Sequence, residues 1–155
     1  MPLFLLLKWF NMQKIIQVMI LQRLIKLIIV FFIGAFLYGG IELAFRGYTH
    51  WTMFLVGGSI FAILYKLFNF IGKGHIILKC FFGCTIITTI EFLTGVGVNL
   101  ILGWEVWDYS DQFLNLFGQI CLGFSIGWFF ISIPASILID NIRRLFIPIF
   151  NTDKT

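Results

Sequence analysis

Charge is scarce in this chain. Of its 155 residues only 12% are Asp, Glu, Lys or Arg, about half the share of an average soluble domain. So little polar surface could not clothe a globule of this size, which excludes a water-soluble enzyme. Cysteine is also scarce. The three present, Cys80, Cys84 and Cys121, form an odd set that gives no disulfide framework. They lie inside apolar runs and read as small packing residues, and Cys80 and Cys84 stand one helical turn apart, which is not metal-knuckle spacing. A phosphate loop of the form Gly-x-x-x-x-Gly-Lys-Ser/Thr is missing, so an ATPase would have to be a separate chain. Low hydrophobicity is missing too, which excludes disorder.

Apolar residues are what is there. The chain is 60% hydrophobic and 19% aromatic, with a mean hydropathy of +1.00. Four long runs stand out: Leu27 to Phe45, Trp51 to Phe70, Ile76 to Leu102, and Leu116 to Ile139 with Pro134 inside it. A spanning helix takes ~20 such residues, so four spans nearly exhaust the length and leave no room for a further domain. Strands do not fit, because the runs are continuous rather than alternating. The expected fold is an all-α integral membrane protein with four transmembrane helices.

Residues 1–26 are apolar but punctuated by Lys8, Asn11, Lys14, Gln17, Arg23 and Lys26. No basic region precedes an apolar stretch and no small-x-small site follows, so a cleaved signal peptide is not expected. Lys8, Asn11, Lys14, Gln22 and Lys26 fall loosely on one helical face, which predicts an interfacial amphipathic helix. The chain therefore divides into that helix (1–26), a four-helix transmembrane domain (27–145) and a cytoplasmic tail (146–155).

Basic residues set the orientation. Lys8, Lys14, Arg23 and Lys26 precede span one; Lys66, Lys73 and Lys79 flank the turn between spans two and three; Arg143, Arg144 and Lys154 follow span four. Four spans put these ten of the eleven Lys and Arg residues on one face, and only Arg46 on the other. Glu105, Asp108 and Asp111 fall on the Arg46 side. A cell-membrane protein with both termini cytoplasmic is expected. The net charge of +4 then serves contact with anionic lipid, and nucleic acid is not an expected partner.

Small residues four apart, Ala35/Gly39 and Gly123/Gly127, predict close helix contacts within the bundle or between copies. Gly95-Val96-Gly97 interrupts span three and reads either as a broken helix lining a cavity or as a close crossing, the crossing being favoured.

Ionisable residues inside spans are the best functional pointers. Glu42 and Arg46 share a helix face at the outer end of span one. Glu91 lies in the outer half of span three, with Asn99 two turns beyond, at similar depth. One guanidinium bridging two carboxylates is the expected geometry, either as an outward-opening polar pocket or as a structural clamp. His50 in the outer turn has only Glu105, Asp108 and Asp111 as candidate co-ligands, and no metal is expected. Trp51, Trp104 and Trp107 suit an aromatic belt. Asp108 and Ser110 suit a turn, and Asn115 is placed to cap span four with Gln119 one turn inside.

Three blocks of residues carry a resemblance: Glu42-x-x-x-Arg46-Gly47 with His50-Trp51, Met53 and Gly57-Gly58; Thr89-x-Glu91-Phe92-x-Thr94-Gly95 to Asn99, then Trp107-Asp108-Tyr109-Ser110; and Asn115-Leu116-x-Gly118-Gln119-Ile120-Cys121 with Trp128 and Asp140. Together they resemble the putative ABC-transporter type IV (CmpB-like) permease family, small bacterial membrane proteins frequent in Firmicutes, over about Gly34 to Arg144. The resemblance implies a transporter component and marks Glu42, Arg46, Gly47, Glu91, Asn99, Trp107, Asp108, Asn115 and Gln119 as hallmark positions. After Gly47 the sequence departs from the family pattern, with Tyr48-Thr49-His50-Trp51 in place of a Gly-Pro-rich stretch. The expected function is a non-enzymatic permease component without a cofactor. Its substrate-binding residues would be Glu42, Arg46, His50, Glu91, Asn99, Trp107, Asp108 and Gln119. Its partners would be the lipid bilayer, further copies of itself and a separate ATPase subunit. The alternative is a membrane interaction or regulatory protein whose Glu–Arg–Glu cluster is structural.

Overall fold

A computed structural model of the chain describes residues 3–150, with the side chains of residues 3–8, 10 and 11 left aside. The expected tail beyond Phe150 and the Lys8 and Asn11 side chains lie outside the described residues. Within them the architecture is all-helical: α1 (Leu3–Arg46), α2 (Trp51–Ile71), α3 (Ile76–Gly95) continuing into a π-helical turn (Val96–Ile101), and α4 (Leu122–Phe150). Four helices are long and apolar enough to cross a membrane, over Met12–Arg46, Trp51–Ile71, Ile76–Ile101 and Leu122–Phe150. Their outward faces are apolar, as at Phe70, Ile77 and Ile101. Such faces need lipid rather than water around them.

The expected separate N-terminal helix is instead the first half of α1. Nothing in the sequence breaks helix between residues 3 and 33, where neither glycine nor proline occurs. Apolar side chains project on every side there, from Ile15 and Ile16 to Ile20 and Leu24, so no clear amphipathic face forms. At ~1.5 Å per residue α1 is about 66 Å long, against a hydrocarbon core of ~30 Å.

Short turns join the first three helices. Gly47, at φ +74°, ends α1 with its N–H on the Leu43 carbonyl at 3.0 Å, a left-handed cap that other residues adopt at a cost. His50 caps α2, its Nδ1 accepting from Thr52 N at 3.5 Å. α1 then packs along α2 at a close crossing. A Cβ on Gly34 would overlap Phe61 and stand 2.9 Å from the Gly57 carbonyl, and one on Gly57 would stand 2.7 Å from the Tyr38 ring. Lipid gives helices no hydrophobic drive to associate, so this backbone proximity is where packing energy is gained.

α4 packs on α3, and α2 touches both. At the end of the bundle away from Arg46, Lys79 is only 2% exposed. Its ammonium lies 3.5 Å from Asp140, donates to Ser136 Oγ at 3.1 Å and sits over the Phe68 ring. The lysine expected to flank a solvent-facing turn is therefore a buried bond between α3 and α4, and nine basic residues remain for the orientation argument. α1 and α4 stand apart along most of their length, although Lys26 lies over the Phe150 ring.

α4 also differs from expectation at both ends. It begins at Leu122, so Asn115 caps no helix and Gln119, expected one turn inside, lies in the preceding loop; it runs through Pro134 and on to Phe150. Phe146, expected in the tail, is buried against Tyr65.

Candidate functional site

The loop from Leu102 to Cys121 is held by side-chain hydrogen bonds around a buried centre of Val106, Trp107 and Gln119. The π-helical turn carries Asn99 to its underside. Asn99 Nδ2 donates to the Trp107 carbonyl at 2.9 Å and to Gln119 Oε1 at 2.8 Å, and its Oδ1 accepts from Val106 N at 2.7 Å. The Trp107 indole donates to the Gln119 carbonyl at 2.9 Å, and Gln119 Nε2 donates to the Phe117 carbonyl at 2.9 Å. Asp108 Oδ1 accepts from Ser110 N and Oγ at 2.8 and 2.6 Å. These two bonds, the hydroxyl's first, hold the Asp108 carboxyl below the usual carboxylate range. Asn115 donates to the Ser110 and Gln112 carbonyls and accepts from Gly118 N.

Gly95 makes room for this loop, since a Cβ there would stand 2.9 Å from Trp107 and would strike Gln119. The close approach favoured for the Gly-Val-Gly stretch therefore exists, but to the loop rather than to another helix. Glu105, Leu114 and Phe117 hold positive φ angles of 50–52°, at a cost of roughly 1–2 kcal/mol each. The hydrogen bonds just described offset that cost.

Beneath the loop, between α1 and α4, lies a cavity of about 260 Å³. Glu42, Arg46 and Glu91 line it. Arg46 Nη1 donates to Glu42 Oε1 at 2.8 Å, and Thr49 Oγ1 donates to Glu42 Oε2 at 3.0 Å. The other terminal nitrogen, Nη2, donates to the Val106 carbonyl and to Tyr48 OH, so α1 is tied to the loop. The expected Glu–Arg–Glu bridge does not form. Glu91, 5% exposed, accepts instead from Tyr38 OH on α1 and from the Trp128 indole on α4, the latter at 2.7 Å. Glu91 has two neutral donors and no ion-pair partner among the described residues, while Arg46 is matched one to one by Glu42.

Aromatic rings frame this chamber in two stacked pairs, Tyr38 on Trp128 and Tyr109 on Phe124. Burial, and then the Glu91 carboxylate, push the Tyr109 phenol well above its ordinary range, so it stays neutral. Gly123 and Gly127 line the same chamber, and nothing stands within 4 Å of where a Cβ would sit on either. Their spacing makes no contact within the bundle; there they thin the α4 wall.

Of the eight candidate binding residues, Glu42, Arg46 and Glu91 thus meet at one cavity. Asn99, Trp107, Asp108 and Gln119 are bonded into the loop above it. His50 stands apart, with Nδ1 on Thr52 and its ring against Trp51 and Trp104. Tyr38, Tyr109 and Trp128 are the residues that sequence reasoning did not select. Trp128 belonged to a family block, but no local pattern pairs it with Glu91, 37 positions away.

Four apolar spans and a cavity with buried charge define a multi-pass helical membrane protein. The chain belongs to the family described as putative ABC-transporter type IV, whose model matches residues 46–152, more than two thirds of its length. Arg46, Glu91 and the whole loop fall within that match, and Glu42 just outside it. No solved structure matches the chain.

Proposed function

We propose that this protein is the membrane-embedded component of a transporter, and that the cavity between α1 and α4 is its solute site, facing outward. The observation that carries this reading is a nearly fully buried carboxylate, Glu91, facing a cavity without a cationic partner. Burial of an unpaired carboxylate is costly, and a protein that retains one is suited to supplying its counter-charge from a solute. Glu42 and Arg46 form the polar mouth of the site, and the loop held by Asn99, Trp107, Asp108 and Gln119 roofs it. Both termini are cytoplasmic, on the face that carries most of the Lys and Arg. A separate ATPase subunit supplies energy, and a homo-oligomer or partner permease completes the pathway, because four spans enclose little.

Purification of the full chain from native membranes in gentle detergent tests the ATPase part. A stoichiometric companion with a phosphate loop is expected, and a chain that arrives alone or only with copies of itself overturns it. Glu91→Gln tests the site. Solute uptake is expected to be lost while the protein remains folded.

A second reading is favoured by the two hydrogen bonds that Glu91 already accepts. In it the protein is a non-catalytic interaction or regulatory protein, and Glu91 joins α1 to α4 structurally. Glu91→Gln, which keeps one acceptor for the two donors, would then act through stability alone, with a loss of about 1–3 kcal/mol.

A further inference from the structure

The polar chamber does not end at Glu91. A second space of about 200 Å³ adjoins it, and the two share Tyr38, Ile41, Trp128 and Ile131 as walls. The second chamber is lined by carbon, from Ile60 and Leu64 on α2 to Ile87 on α3 and Pro134 and Leu138 on α4. The two chambers follow one cleft between α1 and α4, closed toward one end by Lys26 over Phe150, crossed between the chambers by the Tyr38 ring on Trp128, and roofed at the other end by Arg46 on the Val106 carbonyl of the loop. One end of the cleft is charged and aromatic; the other is purely apolar.

We propose that this cleft binds an amphiphilic organic cation, with its ammonium head beside Glu91 and its hydrocarbon tail in the apolar chamber. This inference rests on the reading of the cavity as a solute site and names the class of solute. Charge selects the head. Two carboxylates and one guanidinium meet there, and the guanidinium is already committed to Glu42, so an anion would meet a surplus of negative charge. Ring faces select it again, because the stacked Tyr38–Trp128 and Tyr109–Phe124 pairs attract a weakly hydrated cation through their π-systems. Shape selects the tail, since a small hydrophilic ion would leave the carbon-lined chamber empty. Gly123 and Gly127 open the wall on α4, giving width at the level of the head.

The test is isothermal titration calorimetry on the full chain in phosphatidylcholine nanodiscs, with empty nanodiscs as the blank. Decyltrimethylammonium is expected to bind saturably, and decyl sulfate at least about tenfold more weakly. Gly127→Leu, which fills the polar chamber, and Glu91→Gln are expected to weaken both decyltrimethylammonium and tetramethylammonium. Ala135→Trp, which fills the apolar chamber, is expected to weaken decyltrimethylammonium alone. Equal binding of decyl sulfate overturns the cationic head. If tetramethylammonium binds as well as the decyl compound and Ala135→Trp changes neither, the tail is overturned while the solute site stands. If no cation binds saturably to the unaltered chain, this inference and the solute site fall together. The comparison of the three probes on the unaltered chain decides the matter even where a variant does not fold.

Discussion

The two ends of the bundle both bury charge, and they do so differently. At one end Lys79 meets Asp140, Ser136 and the Phe68 ring, one cation against one anion, and neither chamber of the cleft reaches them. At the other end the one guanidinium pairs with Glu42, the Glu91 carboxylate is left without a cation, and all three line open space. Matched charge in a packed setting holds helices together. Unmatched charge beside a void is poor glue, because desolvation is paid without a full Coulombic return. The contrast separates a fastening between α3 and α4 from a site between α1 and α4.

The largest effect is expected at the fastening. Asp140→Asn leaves the Lys79 ammonium buried without its counter-charge and should cost about 3–5 kcal/mol, whereas Lys79→Met with Asp140→Leu should regain most of it. Unfolding in nanodiscs measures both, and equal losses in the single and double variants would break the comparison. Glycines sharpen it next. Gly57→Ala drives a methyl into Tyr38 and should cost about 1–3 kcal/mol, while Gly127→Ala, inside α4 with nothing within 4 Å, should raise stability by about 0.5–1 kcal/mol. The same unfolding assay reads this difference.

The loop follows. Asn99→Ala removes three hydrogen bonds and leaves buried partners unpaired, for about 1–3 kcal/mol. It should be seen as faster proteolysis between residues 102 and 121. The smallest effect belongs to Asp108. Its folded-state pKa lies below the unfolded value, so its stabilisation is present above about pH 4 and is lost as pH falls through the folded value. The stability gap between the unaltered chain and Asp108→Ala should therefore narrow on acidification. A gap that widens would contradict the bonds from Ser110.

Much of the fold was legible in the sequence because hydropathy is a one-dimensional signal. The four spans follow from the apolar runs alone. Glu42 with Arg46 was legible too, because their partnership is local, four residues apart on one helix. Glu91 was legible as a buried carboxylate, but not its partners. Tyr38 and Trp128 reach it from two other helices, and nothing near Glu91 announces them. Lys79 misled because a lysine three residues into an apolar run looks like a flanking charge until Asp140 is brought alongside. Residues 115–121 misled because their composition is apolar enough to read as a span. Their conformation is fixed instead by Gly118, the left-handed Leu114 and Phe117, and side-chain bonds from distant positions. The resemblance to the family was strong in that loop for the same reason: its residues are specified by one another.

The length of α1 has a mechanical consequence. The helix is pinned near Gly34, where it crosses α2 at Gly57. At ~1.5 Å per residue, about 18 Å of it lies between that pin and Arg46, and about 46 Å between the pin and Leu3. If α1 tilts rigidly about the pin, its ends move in opposite directions and in proportion to those arms. Each ångström by which the cleft opens at Arg46 would swing the far end through roughly 2.6 Å. The helix that forms one wall of the cavity is thus also a lever, and its long arm runs past the Lys26–Phe150 contact to the largely exposed stretch from Met12 to Ile25.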